Sequence, residues 1–311
     1  MDAVNLLKAF LVEWRNASPT FRTLFEEVTE GLHLPGALPV RISKPFRPNE
    51  IVPSLYLGAV NDVSDAFALG NALKKESIRR ANGGEDHKSH CLFLVVSACF
   101  PKGSPFSLEL RYCSTTVGES DKLVETFDLS KGKGDELLGC STQKLASFLK
   151  EKWDGQKSKV KGGNGYVYFR LCIPLLDYIT EDIVQFFPFS SKCIAAALLC
   201  SPLDSEKEQA TVAVHCMAGV SRSTSILVAF LLDVFFEAVR SEKMREYLQE
   251  AHPGLLFSTN EESCADPSTA KQMVTFCVKF VGEARCFVCP NEGFTKQLNE
   301  YTLQKLRLNS F

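Results

Sequence analysis

Val212 to Ser225 reads VAVHCMAGVSRSTS, and the fold turns on it: a short apolar strand, a tight loop through His215, Cys216 and Gly219, then an apolar helix that begins at Arg222 and Ser223. A strand that feeds an anion-sized loop and a helix N-terminus makes a phosphate cradle. Consecutive backbone N–H groups and the positive end of the helix dipole converge on one point. Gly219 permits the positive φ that such a curl requires. Cys216, at the base of the cradle, is expected to be stabilised as the thiolate, below the free value of about 8.5. Arg222 supplies a planar fork for two phosphoryl oxygens, and Ser223 a hydroxyl that can hydrogen-bond the sulfur. A buried structural cysteine at a strand end is the plainer reading of a free thiol. The glycine, the arginine and the strand-to-helix context together argue against it.

His215-Cys216, five residues, then Arg222-Ser223 resembles the signature loop of the cysteine-dependent protein tyrosine phosphatases, and Met217 to Ser223 looks most like the dual-specificity branch. The resemblance implies an α/β fold, a central, mostly parallel sheet flanked by helices. It also implies two-step phosphoryl transfer through a phosphocysteine, with no cofactor and no metal: Cys216 attacks, while Arg222 and the amides of Met217, Ala218, Gly219, Val220 and Ser221 hold the phosphoryl group. By the same resemblance His215 orients the loop and tunes the thiolate.

Upstream, Tyr166 to Leu176 (YVYFRLCIPLL) is an apolar strand ending at Ile173-Pro174. In the family an Asp after such a pair is the general acid, which assigns that role to Asp177. The chemistry calls for one, because a serine, threonine or tyrosine oxygen leaves poorly unless protonated. The structural alternative for Asp177 is a turn or helix cap. Asp182 is expected in the first turn of a helix running to Cys200, with Pro188 as a kink or break. Cys91 to Ser97 (CLFLVVS) is a continuous apolar run, which predicts a strand buried on both faces of a parallel sheet. Ile51 to Gly58 resembles the family's opening strand, with Asn61 and Asp62 capping a helix through Leu73.

Residues 1–45 read as a helical extension and connector, and 46–311 as one catalytic domain with insertions near 74–90, 100–165 and 240–268. The middle insertion holds a possible strand at Ser107 to Cys113 and a possible helix at Thr142 to Trp153. Near the C-terminus, Thr269 to Arg285 reads as a helix and Pro290-Asn291-Glu292-Gly293-Phe294 leads into the last one, with Asn291 as its N-cap. Cys286-Phe287-Val288-Cys289 lacks the second pair a zinc site needs, and it is expected in a buried connection. Cys99, with Cys172 as a weaker choice, stands where some relatives keep a thiol that forms a disulfide with the nucleophile. Both also suit small buried hydrophobes.

The chain has 311 residues, a formal charge of −2 and twelve cysteines. That balance gives no general pull toward nucleic acid or anionic membrane. With no signal-like or bilayer-length apolar run, the cysteines are expected as reduced thiols in the cytoplasm, with the nucleus a second location. Phosphoinositide-selective members of the family it resembles place lysines in this loop, whereas Met217, Ala218 and Val220 are small or apolar, so the resemblance implies phosphoprotein substrates. The expected partner is a phosphoprotein substrate, with a protein partner at the insertions or the N-terminal helices. The other readings are a phosphopeptide-binding pseudophosphatase or scaffold, and a phosphatase acting on phosphoinositide, RNA or nucleotide.

Overall fold

The computed structural model describes residues 48–52, 54–63, 66, 68–73, 89–114, 121–130, 134–158, 165–200, 208–239 and 267–308. The expected helices of residues 1–34 and most of the insertions at 74–88 and 240–266 lie outside these.

Seven strands form one sheet: β1 Asn49–Val52, β2 Leu55–Ala59, β3 Ser89–Phe100, β4 Ser107–Ser114, β5 Lys122–Asp128, β6 Gly165–Pro174 and β7 Glu208–Cys216, in the order β1-β2-β7-β3-β6-β4-β5. The four central strands, β2, β7, β3 and β6, are mutually parallel. The outer strands β1, β4 and β5 run antiparallel to their neighbours. Burial explains the division. Leu92 to Val96 of β3 are all buried, because both faces of the central strands are covered. By contrast, Leu123 and Val124 of β5, at the sheet edge, are exposed.

The helices among the described residues include α1 Val60–Val63, α2 Asp135–Gly139, α3 Thr142–Lys157, α4 Phe187–Leu199, α5 Arg222–Val239, α6 Pro267–Ala284 and α7 Glu292–Leu308, and residues 66 and 68–73 are also helical, up to Leu73 as expected. Residues of α3 to α7 fill the larger core, against Leu55, Phe93, Phe169, Val212 and Val214 of the sheet. A smaller core on the opposite face gathers Tyr56, Val63, Leu69, Leu92, Val95, Tyr168 and Ala213. Helix α5 is apolar around its circumference because Ile226 to Leu232 are buried on every side. That burial fixes Arg222 and Ser223, its first two residues.

Several expectations are corrected by the structure. Ile51 to Gly58 is not one strand but the antiparallel pair β1 and β2. Asn61 and Asp62 lie inside α1 rather than before it, and the Asp62 carboxylate reaches back to accept from the Ala59 N–H at 2.7 Å, one half of a capping box. The helix expected from Asp182 starts later, at Phe187, after a 3-10 turn over Val184–Phe186. Pro188 lies in its first turn, where a missing N–H costs nothing, so it starts the helix instead of kinking it. In the 100–165 insertion the expected strand and helix are present, as β4 and α3. The added strand β5 had no clear apolar alternation to announce it, since its flank is exposed.

Helix α3 shows how the insertion is anchored. Ser141 caps it, accepting from Lys144 N–H at 3.3 Å, and Leu145, Leu149 and Trp153 recur every four residues on its buried face. Trp153 stacks at 5.7 Å from Phe93 and donates from Nε1 to the Val167 carbonyl at 2.8 Å. Trp153→Ala is expected to lower unfolding free energy by about 3–5 kcal/mol in urea titrations. Trp153→Phe, which keeps a ring but not the donor, should cost less.

Candidate active site

Strand β7 delivers Cys216 to the C-terminal end of the parallel sheet, beside Ala59 of β2, where open α/β sheets place their ligand crevices. The chain then curls through residues 217–221 into α5. Cys216 lies at the base of this curl, 1% exposed, and its sulfur accepts from the Ser223 hydroxyl and from the Gly219 N–H, each at 3.2 Å. Burial alone would push the thiol up. The hydrogen bonds from the Ser223 side chain and from the amides of Ser223, Val220 and Gly219 outweigh it, and the net shift is downward.

Gly219 adopts φ +69°, and a Cβ there would stand 2.5 Å from the Gly58 carbonyl oxygen and 2.7 Å from the Arg285 guanidinium. No side chain fits. Met217 and Ala218 are exposed at the loop's crest, Val220 is partly covered and Ser221 is buried.

Arg222 is 8% exposed; it donates from Nη1 to the Leu175 carbonyl at 3.1 Å and places Nε 3.4 Å from Asp177 Oδ2. That second contact is an ion pair without an aligned hydrogen bond, so among the described residues Nε has no hydrogen-bond acceptor. Asp177, on the exposed turn after β6, uses Oδ1 to accept from the Ser221 hydroxyl at 2.7 Å and from the Asn291 amide at 2.9 Å. Asp177, 44 residues from Ser221 in the chain, is therefore brought to the short loop segment that carries Cys216, Arg222 and Ser223. Asp182 is not in this group.

His215 is buried, with Nε2 2.7 Å from Ser97 Oγ and Nδ1 3.4 Å from the Cys216 carbonyl. Burial, aided by the positive charge of Arg170, lowers its pKa to about 4, against a weaker opposing hydrogen bond to Cys216.

Sequence reasoning missed the segment that braces the loop from behind. Arg285, 3% exposed just after α6, donates from Nε to the Gly219 carbonyl at 3.0 Å, from Nη2 to Ala218 at 3.1 Å and from Nη1 to Asn49 Oδ1 at 2.8 Å. The Cys289 N–H donates to the Val220 carbonyl at 2.8 Å, and the Asn291 N–H to Ser221 Oγ at 3.2 Å. A single arginine after an apolar helix carries no periodic signal, so nothing local marked it. Cys286 and Cys289, expected to be buried, are both exposed on this brace. Cys99 is half-buried within electrostatic reach of Arg222 and Cys216, its thiol pushed up by burial; Cys172 is buried and pushed up to about 12 for the same reason.

Comparison with known proteins gives this loop a family. Residues 158–260, about a third of the chain and including Asp177 and the whole Cys216 loop, match the profile described as "Dual specificity phosphatase, catalytic domain". Over that segment the chain is similar to the dual-specificity phosphatases. It is 27% identical over 133 residues to dual specificity protein phosphatase 19 of Mus musculus, covering 43% of this chain and 41% of that one. It is 27% identical over 136 residues to dual specificity protein phosphatase 22-A of Danio rerio, covering 44% and 45%. The chain thus spans less than half the length of the curated relatives it matches. Among solved structures, the Yvh1 phosphatase domain from Chaetomium thermophilum is similar over 80% of this chain and 89% of that one, at 18% identity and a TM-score of 0.37. The brace and the cradle come from opposite sides of the matched segment's C-terminal boundary.

Two outcomes are expected. Gly219→Ala forces an L side chain into left-handed backbone, costing about 1–2 kcal/mol before any clash; it should lower the melting temperature and abolish binding of orthovanadate, a phosphate mimic, measured by calorimetry. The pH dependence follows from His215, whose folded pKa lies below its ordinary 6.5. The unfolded chain takes up the proton first, so stability is lost as pH falls from about 6.5 to about 4, by up to about 3 kcal/mol. Denaturation across that window should show the slope, and His215→Gln should flatten it.

Proposed function

We propose that this chain is a protein phosphatase that hydrolyses phosphotyrosine and phosphoserine or phosphothreonine through a phosphocysteine intermediate. The observation that carries the reading is that one short loop holds a buried sulfur with its two hydrogen-bond donors and, through Ser221 and Arg222, the Asp177 carboxylate.

In the first step the Cys216 thiolate attacks phosphorus and the P–O bond to the substrate breaks. Asp177 passes a proton to the departing oxygen. The loop amides and Arg222 hold the three remaining phosphoryl oxygens, donors set in advance where charge develops. The phosphate takes over the guanidinium that Asp177 occupies in the free site. In the second step water attacks phosphorus, Asp177 takes its proton, the S–P bond breaks and the Ser223 hydroxyl stabilises the returning thiolate. His215, neutral near pH 7, serves the loop rather than the proton transfer.

Phosphoproteins are the substrates the surroundings favour. The crest of the loop is Met217 and Ala218, both exposed, and Tyr178 and Ile179 stand 62% exposed immediately after Asp177. Such apolar side chains suit a peptide, whereas a polyphosphorylated lipid head would call for extra cations. The catalytic domain is taken to run from about residue 46, with the insertions and the N-terminal segment as places for a protein partner.

The test is phosphate release from matched phosphotyrosine and phosphothreonine peptides, in reductant and EDTA. Wild type should turn over both, and Cys216→Ser neither. Asp177→Ala should lower kcat by about 10²- to 10⁴-fold, more for phosphothreonine because an alkoxide leaves less readily than a phenoxide. Peptide binding without turnover by folded wild type would replace this reading with that of a phosphopeptide-binding module.

A further inference from the structure

Ser97 lies outside the signature loop, yet it meets the histidine that precedes the nucleophile. Ser97 of β3 and His215 of β7 are register partners on adjacent parallel strands, so their side chains stand side by side. Both are buried, at 2% and 4% exposed, and Ser97 Oγ lies 2.7 Å from His215 Nε2. On its other side the imidazole meets the Cys216 carbonyl oxygen through Nδ1, at 3.4 Å.

Those two neighbours decide the tautomer. A neutral imidazole carries one donor and one acceptor, a carbonyl can only accept, and a hydroxyl can do either. Both contacts are satisfied when Nδ1–H donates to Cys216 O and Ser97 O–H donates to Nε2. With the opposite tautomer, Nδ1 and the carbonyl would be two acceptors facing each other in a buried site, which is costly. The choice has a geometric result. The Cys216–Met217 peptide is planar and trans, so holding its carbonyl toward the imidazole turns the Met217 N–H the other way.

We infer that Ser97 is a positioning residue for the nucleophile: by donating to His215 Nε2 it selects the tautomer that pins the Cys216 carbonyl and orients the first peptide of the phosphate loop. The inference rests on Cys216 being the nucleophile, but neither readout below needs turnover. The charged and titratable groups that act on the imidazole are Arg170 of β6 and Cys216 itself, and Cys99 of β3 lies within electrostatic reach of both of these.

The experiment uses the full chain with ¹⁵N-histidine, the His215 resonances being identified by their disappearance in His215→Gln. At pH 7 the expected ring signature is a protonated Nδ1 and an unprotonated Nε2. In parallel, iodoacetamide labelling of Cys216 against pH, read at that cysteine by mass spectrometry, reports the thiolate. Ser97→Ala should move its midpoint upward by roughly half to one pH unit, and Ser97→Thr, which keeps the hydroxyl, should leave it near wild type. A protonated Nε2 in the wild type, or an unchanged midpoint in folded Ser97→Ala, overturns the inference. Absence of phosphatase turnover would instead strike at the proposed activity while leaving both readouts in place.

Discussion

A sulfur buried at the end of a central strand can carry negative charge only if donors reach it, and the loop after Cys216 is shaped by that need. The Gly219 N–H and the Ser223 hydroxyl both come within hydrogen-bond distance because the backbone reverses in a handful of residues and enters a helix at once. The reversal needs left-handed backbone at Gly219, and the entry needs a helix that cannot shift. Helix α5 meets the second need through burial all round, so the position of Arg222 is set by packing far from the pocket. Burial opposes the thiolate and hydrogen bonding favours it; the downward shift at Cys216 shows which wins.

A loop that turns the amides of Gly219, Val220 and Ser223 toward the sulfur leaves its carbonyls needing partners of their own. They find them one by one. Cys216 faces His215, Met217 accepts from the Val60 N–H at 3.2 Å, Ala218 and Gly219 accept from Arg285, Val220 from the Cys289 N–H, and Ser221 from the Ser225 N–H of its own helix. The amide cradle is therefore the inner surface of a ring whose outer surface is fastened to β7, the β2–α1 junction and the segment after α6. A planar guanidinium suits the two adjacent carbonyls at residues 218 and 219 as a lysine would not.

What the sequence disclosed follows the range over which each signal acts. The Cys216 loop, α5, β3 and β6 were legible because apolar runs and a contiguous motif are local, and Asn291 was recognised as a cap because its helix follows it directly, with Phe294 N–H donating to Asn291 Oδ1 at 2.9 Å. The edge strand β5 was hidden because exposure removes the alternation that reveals a strand. The true start of α4 was obscured because Pro188 inside an apolar run looks the same whether it breaks a helix or begins one. Arg285 and Ser97 were invisible as contributors to the site: their partners lie 66 and 118 residues away in the chain, and only the folded register brings them together.

Asn291 has one further consequence. Its carbonyl oxygen caps α7 while its amide nitrogen holds Asp177, so a single three-atom group joins the start of the last helix to the carboxylate that meets the Cys216 loop at Ser221 and Arg222. The other side chains that cap well cannot serve both ends. An aspartate would cap the helix and set one negative charge against another; a serine's lone hydroxyl oxygen would have to satisfy both partners from one place. The identity of this residue is thus dictated from two directions at once, and its one side chain ties the helix start to the Asp177 carboxylate.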